Sequence, residues 1–137
     1  MGSFSDYLEG AILQHVFTTG LTGSALAVPD KFVALCTKTV YDTSTGAQLI
    51  EPSAASGYTR IQNETWDDPA GAGATENTGA ITFAQASASW GTILDFAIVD
   101  ALTTGNLLAY GALTISKSVA SGDTPKFATG DIDITLA

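Results

Sequence analysis

Two periodicities divide this chain. Over the first turns, Phe4, Tyr7, Leu8, Ala11, Ile12, His15 and Val16 recur at spacings of three and four, which places them on one face of an α-helix. Ser3 or Ser5 is positioned to cap that helix, and Asp6 and Glu9 suit its positive end. Gly20 and Gly23 close it. The pattern predicts an N-terminal amphipathic helix over residues 1–20. A helix this short is marginal alone in water. Burying Leu8, Ile12, Val16 and one aromatic would contribute about 6–12 kcal/mol gross, so the helix is expected to lie on its own sheet or on a neighbour.

After Pro29 the period becomes two. Strands are expected over Lys31–Lys38, Tyr58–Glu64, Ala80–Phe83, Ile93–Val99, Leu107–Thr114, Ser116–Val119, Thr124–Phe127 and Asp131–Leu136. Between them stand runs rich in Gly, Asn, Asp and Ser, the residues that turns require. Short strands separated by such turns indicate a mainly β fold: an antiparallel β-sandwich or jelly-roll-like domain over residues 29–137, with one N-terminal α-helix, forming one compact domain overall. The most apolar stretch, ASWGTILDFAIVDALTTGNLLAYGALT at residues 88–114, is broken by Thr-Thr-Gly-Asn. A membrane helix needs about 20 uninterrupted apolar residues, so the stretch reads as a hairpin of two core strands. Trp90 is expected to close one end of the core, and Gly91 and Gly111 to admit a bulge or a close neighbour. Asp95 and Asp100 are expected near strand ends or on an exposed face.

Composition narrows the partners. The chain has 137 residues, 45% of them hydrophobic and only 14% charged, with a formal charge of -9. Globular chains carry about a quarter charged residues, so much of this surface is Thr, Ser, Asn, Gly and backbone, which suits packing against copies of itself or a large partner. Lys31, Lys38, Arg60, Lys117 and Lys126 are scattered singly against 14 acidic residues. Nucleic acid and anionic membrane need clustered cations, and neither is expected as a partner. No secretory signal is visible in MGSFSDYLE. The single cysteine, Cys36 in FVALCT, reads as a buried small hydrophobe.

Catalytic constellations are sparse. His15 is the only histidine, so a histidine triad or a multi-histidine metal site cannot form within one chain. It reads as a packing or hydrogen-bonding residue beside the helix face. Asp131-Ile-Asp-Ile-Thr has the letters of an aspartyl-phosphatase motif, but that motif belongs on an early strand with later acids and a lysine. Here the spacing puts Asp131, Asp133 and Thr135 on one strand face, opposite Ile132, Ile134 and Leu136. Binding of Ca²⁺ by that carboxylate pair is a minor alternative. Asp67-Asp68-Pro69 reads as a turn, Gly71-Ala-Gly-Ala as a flexible connection, and Asn63-Glu-Thr is formally a glycosylation sequon. Tyr58, Trp66 and Tyr110 read as core or end-plug aromatics, with a sugar-binding shelf as the alternative. No catalytic, cofactor or metal residue is expected.

The blocks FSDYLEGAILQHVF, VPDKFVALCT, SGYTRI and NTGAITFAQASASWGTILDFAIVDALTTGNLLAYGALTISKSVASGDTPKFATGDIDITL together resemble a family of small tailed-bacteriophage virion structural proteins, labelled tail-fibre or head-decoration-type. ASWG, TGNLLAYGAL and SGDTPKFATG are the most specific parts, and residues 40–56 and 64–76 match least. The resemblance implies a non-enzymatic part of the phage particle, made in the bacterial host cytoplasm and carried on the particle surface. Compactness and the lack of a repetitive shaft favour a capsid decoration or cement protein on the head, with a tail-fibre or tail-tip attachment module as the alternative. The expected partners are other copies of the chain, a trimer being one arrangement, and phage capsid or tail proteins. Phe4, Tyr7, Leu8, Ile12, His15 and Val16 are the expected contact residues.

Overall fold

The computed structural model describes residues 2–17, 28–68 and 73–135. In chain order the elements are β1 (Ser3–Phe4), α1 (Asp6–Phe17), β2 (Phe32–Cys36), a 3-10 turn (Ala54–Ser56), β3 (Ile61–Gln62), β4 (Ala74–Glu76), β5 (Ile81–Thr82), β6 (Gly91–Val99), β7 (Leu107–Val119), β8 (Lys126–Phe127) and β9 (Asp133–Thr135). The fold is mainly β, antiparallel, with one helix near the N-terminus. A five-stranded sheet runs β1-β7-β6-β2-β3, and two short ladders pair β4 with β9 and β5 with β8.

The long apolar run becomes the β6–β7 hairpin because both faces of the sheet are covered. Strands buried on two sides read as continuous hydrophobic runs rather than alternating ones. On the first face Val33 stands opposite Ile98 and Leu35 opposite Phe96. They pack with Ile81, Phe83, Ile132 and Ile134 from the short-ladder segments, and Phe127 of β8 leans on the same core, which makes the body sandwich-like. Tyr58, Phe83 and Trp90 form an aromatic knot, with Trp90 edge-on to Tyr58 at 5.2 Å between centroids. The Trp90 indole N–H donates to Ser56 O at 2.9 Å, and the ring is buried within the core. On the second face Ala34, Cys36, Ala97, Val99 and Leu107 pack with Val40 and Leu49 of the long connection after β2.

That second face corrects the expectation for Asp95. The residue is buried, 5% exposed, and stands opposite Cys36 in mid-sheet. Its Oδ2 accepts the Val40 N–H at 2.7 Å. A buried carboxylate persists when hydrogen bonds replace its water, and here it fastens the connection to the sheet. Asp100 is half-buried at the hairpin turn and accepts from Asn106 N and Nδ2.

Several strand bounds differ from the pattern. Leu107–Thr114 and Ser116–Val119, expected as two strands, form the single β7. Its register jumps: Ile93 faces Lys117 but Asp95 faces Ala112, so Leu113 to Ser116 stand opposite Leu94 alone. Such an irregularity re-aims side chains, and Ile115 is left 79% exposed. A second shift near Leu107 and Leu108 bends the start of β7. Tyr58–Glu64 shrinks to β3, because beside Leu35 the ladder position is filled by a side chain: the Leu35 N–H donates to the Tyr58 hydroxyl at 2.9 Å. The two-residue β1 and the three-residue β4 are too short to register as periodicity. Around β9 the expected alternation holds, with Ile132 and Ile134 inward and Asp131 and Asp133 outward, although the strand itself begins only at Asp133; Leu136 lies outside the described residues.

The long connection is closed over the body by Arg60, 6% exposed. Its Nε and Nη2 bind the Glu51 carboxylate at 2.7–3.2 Å. Nη2 also donates to Gly46 O, and Nη1 donates to Ala101 O and Thr104 O, all at 2.8–2.9 Å. Gly46 sits where only hydrogen fits, since a Cβ there would lie 1.9 Å from Thr104 O. Gly46→Ala is therefore expected to part the connection from the hairpin turn and destabilise the protein by about 3 kcal/mol, the upper range for overpacking. Urea denaturation measures this; an unchanged midpoint would contradict the close approach.

Candidate interaction surface

α1 is held at its first turn. Ser5 is fully buried, and its Oγ accepts the Leu8 N–H at 3.4 Å as an N-cap. The same hydroxyl donates to Leu107 O, and the Ser5 N–H donates to Leu108 O at 3.1 Å. One serine thus starts the helix and ties it to the bent end of β7. Of the two serines that the sequence offers as caps, Ser5 takes the role, while Ser3 belongs to β1. The helix spans Asp6–Phe17 rather than residues 1–20; Gly20 and Gly23 lie outside the described residues.

The six expected contact residues divide. Phe4 is not helical: it pairs with Ala109 in the sheet and, half-buried, packs on the core. Leu8 packs there too, and the two line an apolar recess of about 320 Å³ with Trp66, Ile98, Leu108 and Ile134. Ile12 is half-buried. Tyr7, His15 and Val16 are exposed, so only part of the face read from spacing lies on the chain's own body. No residue of α1 is buried, and the gross burial expected of it is largely unrealised.

The outer side carries what spacing reasoning passed over. Leu13 is 58% exposed, Val16 63% and Phe17 78%. At 100° per residue, Asp6, Glu9, Leu13, Val16 and Phe17 fall on one side of the helix. It is a ridge with two carboxylates in its first turn and three large apolar side chains in its last. The signal was in the sequence as a second set of three- and four-residue steps, Glu9 to Leu13 to Phe17. It was masked because apolar residues occupy nearly every side of this helix. Asp6, Glu9 and Asp42 together form an acidic patch, and the Tyr110 phenol is pushed up by burial first and then by these three charges.

A large apolar patch on an otherwise polar surface marks an interaction site. Residues 3–135 match the family model described as podophage GP4 fiber I protein gp80. The chain belongs to this family. It is a phage fibre protein, a structural component of the virion. None of the curated proteins searched matches it.

The other aromatic and acidic residues singled out from the sequence occupy packing and hydrogen-bonding places. Tyr58 is buried in the core and its phenol donates to Glu51 Oε1 at 2.6 Å. Burial, with the Glu51 charge, pushes that phenol far up. Trp66 is half-buried and donates to Asn63 O at 3.0 Å, while Tyr110 packs on the other sheet face. The three aromatics form no shelf. Among the described residues no three acidic, histidine or cysteine side chains come together to hold a metal ion, and no helix is long and apolar enough to cross a membrane. Asp67 accepts from Thr75 Oγ1 and Glu76 N, fixing the connection before β4; Pro69, Gly71 and Ala72 lie outside the described residues.

Cys36 is buried and unpaired. Desolvation first, then the charges of Glu51 and Asp95, push its thiol from an ordinary 9.0 up to about 12. The thiolate is the reactive form, so the native protein is expected to resist a thiol reagent at pH 8 and to label fully once unfolded. Because the folded value is raised, the unfolded chain binds fewer protons above pH 9.0, and stability falls from there towards pH 12. Fast native labelling would contradict the burial. Ser5→Ala, which removes the cap and leaves Leu107 O without its donor, is expected to cost about 1–2 kcal/mol and to reduce helical circular dichroism. An unaltered helical signal would contradict the anchoring role.

Proposed function

We propose that this chain is a non-enzymatic module of a phage tail fibre that contributes to host attachment, and that the outer ridge of α1 is its contact with sister copies or neighbouring tail proteins. The family match over residues 3–135 carries the reading. It favours the attachment module over the head decoration expected from compactness, because a fibre can be assembled from several polypeptides and one chain need not contain a shaft. The exposed Leu13, Val16 and Phe17 support the contact role. A well-packed body with one apolar projection is suited to binding, and its partners on this reading are protein rather than nucleic acid or membrane. The site is the particle surface, after synthesis in the bacterial host cytoplasm.

Quantitative mass spectrometry of purified particles tests the placement. The copy number should equal that of the other tail proteins; a number matching the major capsid protein returns the chain to the head. Leu13→Asp combined with Phe17→Asp should leave the thermal midpoint nearly unchanged, since both side chains are exposed, and should abolish incorporation into particles. Normal incorporation would remove α1 as a contact element.

A further inference from the structure

The irregular half of β7 walls a groove of about 380 Å³. Leu113, Ile115, Pro125 and Phe127 supply its accessible apolar walls above the buried Leu35, Phe83 and Ile93, and Lys117 and Lys126 line it too. Lys117 stands opposite Ile93 and so shares its core-facing side. The register jump leaves residues 113–116 without regular pairing along this wall, with Leu113 half-buried against the core and Ile115 exposed in the groove. In a chain of net charge -9 with five cations, Lys31 and Arg60 are taken by Glu64 and Glu51. The other three, Lys38, Lys117 and Lys126, make no ion pair with a described residue, and the last two line this one groove.

The groove and the α1 ridge are complementary in kind. One offers apolar walls with two ammonium groups; the other offers Leu13, Val16 and Phe17 with the carboxylates of Asp6 and Glu9. They lie at different ends of the same strand. β1 and α1 attach at Leu107–Tyr110, and the groove begins at Leu113 and runs to Val119. At about 3.3 Å per residue the two attachment points are separated by roughly 20 Å, and the groove is open in this fold. Complementary patches at separate places on one surface make a heterologous, head-to-tail contact.

Building on the reading of α1 as the contact element, we infer that the α1 ridge of one copy docks in the β7 groove of the next, its apolar side chains against Leu113, Ile115 and Phe127 and its acidic turn against Lys117 and Lys126. Copies then join ridge to groove, into a closed ring or an open row.

Two full-length variants test this. Leu13→Asp/Phe17→Asp disables the ridge, and Lys117→Glu/Lys126→Glu disables the groove. All four side chains are exposed, and near-ultraviolet circular dichroism checks that each variant folds. By analytical ultracentrifugation the unaltered chain should self-associate. Each variant alone should need about tenfold or more higher concentration to do so. An equimolar mixture should give a two-chain species, because one good ridge and one good groove remain between them. A folded groove variant that assembles like the unaltered chain overturns the groove pairing and spares the contact role of α1. A folded ridge variant that assembles like the unaltered chain overturns both. A mixture that stays monomeric, or an unaltered chain that is monomeric throughout, overturns head-to-tail docking.

Discussion

Arg60 is the constraint on which the body of this protein depends. Its five N–H donors all find acceptors: the Glu51 carboxylate and the carbonyls of Gly46, Ala101 and Thr104. A buried ion pair is not by itself a strong stabiliser, because desolvation offsets much of the attraction. What it does here is assign places. The planar guanidinium presents donors in a fixed fork, so three carbonyls from two separate loops must converge on it. The connection after β2 is thereby clamped to the β6–β7 turn, and the second sheet face is covered. Cys36 and Asp95 are buried by that cover. Glu51 also accepts from Tyr58, whose hydroxyl in turn takes the Leu35 N–H, so the same network completes the β2 edge beyond β3.

This explains which parts of the molecule were legible in the sequence. The β6–β7 hairpin was, because an apolar run interrupted by Thr-Thr-Gly-Asn has one economical solution. The alternation in β9 was, because a one-sided strand shows it directly. Arg60 was not. A lone cation with partners more than forty residues away at Ala101 and Thr104 looks like surface, and local pattern holds no trace of those partners. Asp95 was misplaced for the same reason: a charged residue in an apolar strand reads as an edge until the chain that covers it is known. The interior shrinkage of Tyr58–Glu64 also came from a distant group, a side-chain hydroxyl standing where a strand would have been.

The helix was legible in existence and not in orientation. Ser5, Asp6 and Glu9 marked its start correctly. With Tyr7, Leu8, Ile12, Leu13, Val16 and Phe17 distributed around it, period alone gave no unique inward face. Leu8 and Ile12 ended on the inner side, and the groups assigned to a single face were split. The groove was invisible because it arises from a register jump between strands, which depends on pairing rather than on the content of either strand.

Energetics tie these observations to a fibre. A twelve-residue helix is marginal alone, and this one gains little from its own core, so it stands as an ordered projection held mainly at Ser5 and Leu8. Full burial of Leu13, Val16 and Phe17 would gain about 1.5–3 kcal/mol each, against an association cost of about 4–15 kcal/mol. A single such contact is therefore weak, and the two exposed ion pairs add about 0–1 kcal/mol apiece. A weak contact repeated among copies gains strength from multivalency once neighbours are held together. Free chains would associate only as their concentration is raised, while chains gathered on a growing particle would lock. That behaviour suits a structural part that must stay soluble after synthesis and join only its proper neighbours, and it follows from leaving the ridge uncovered rather than folding it into the core.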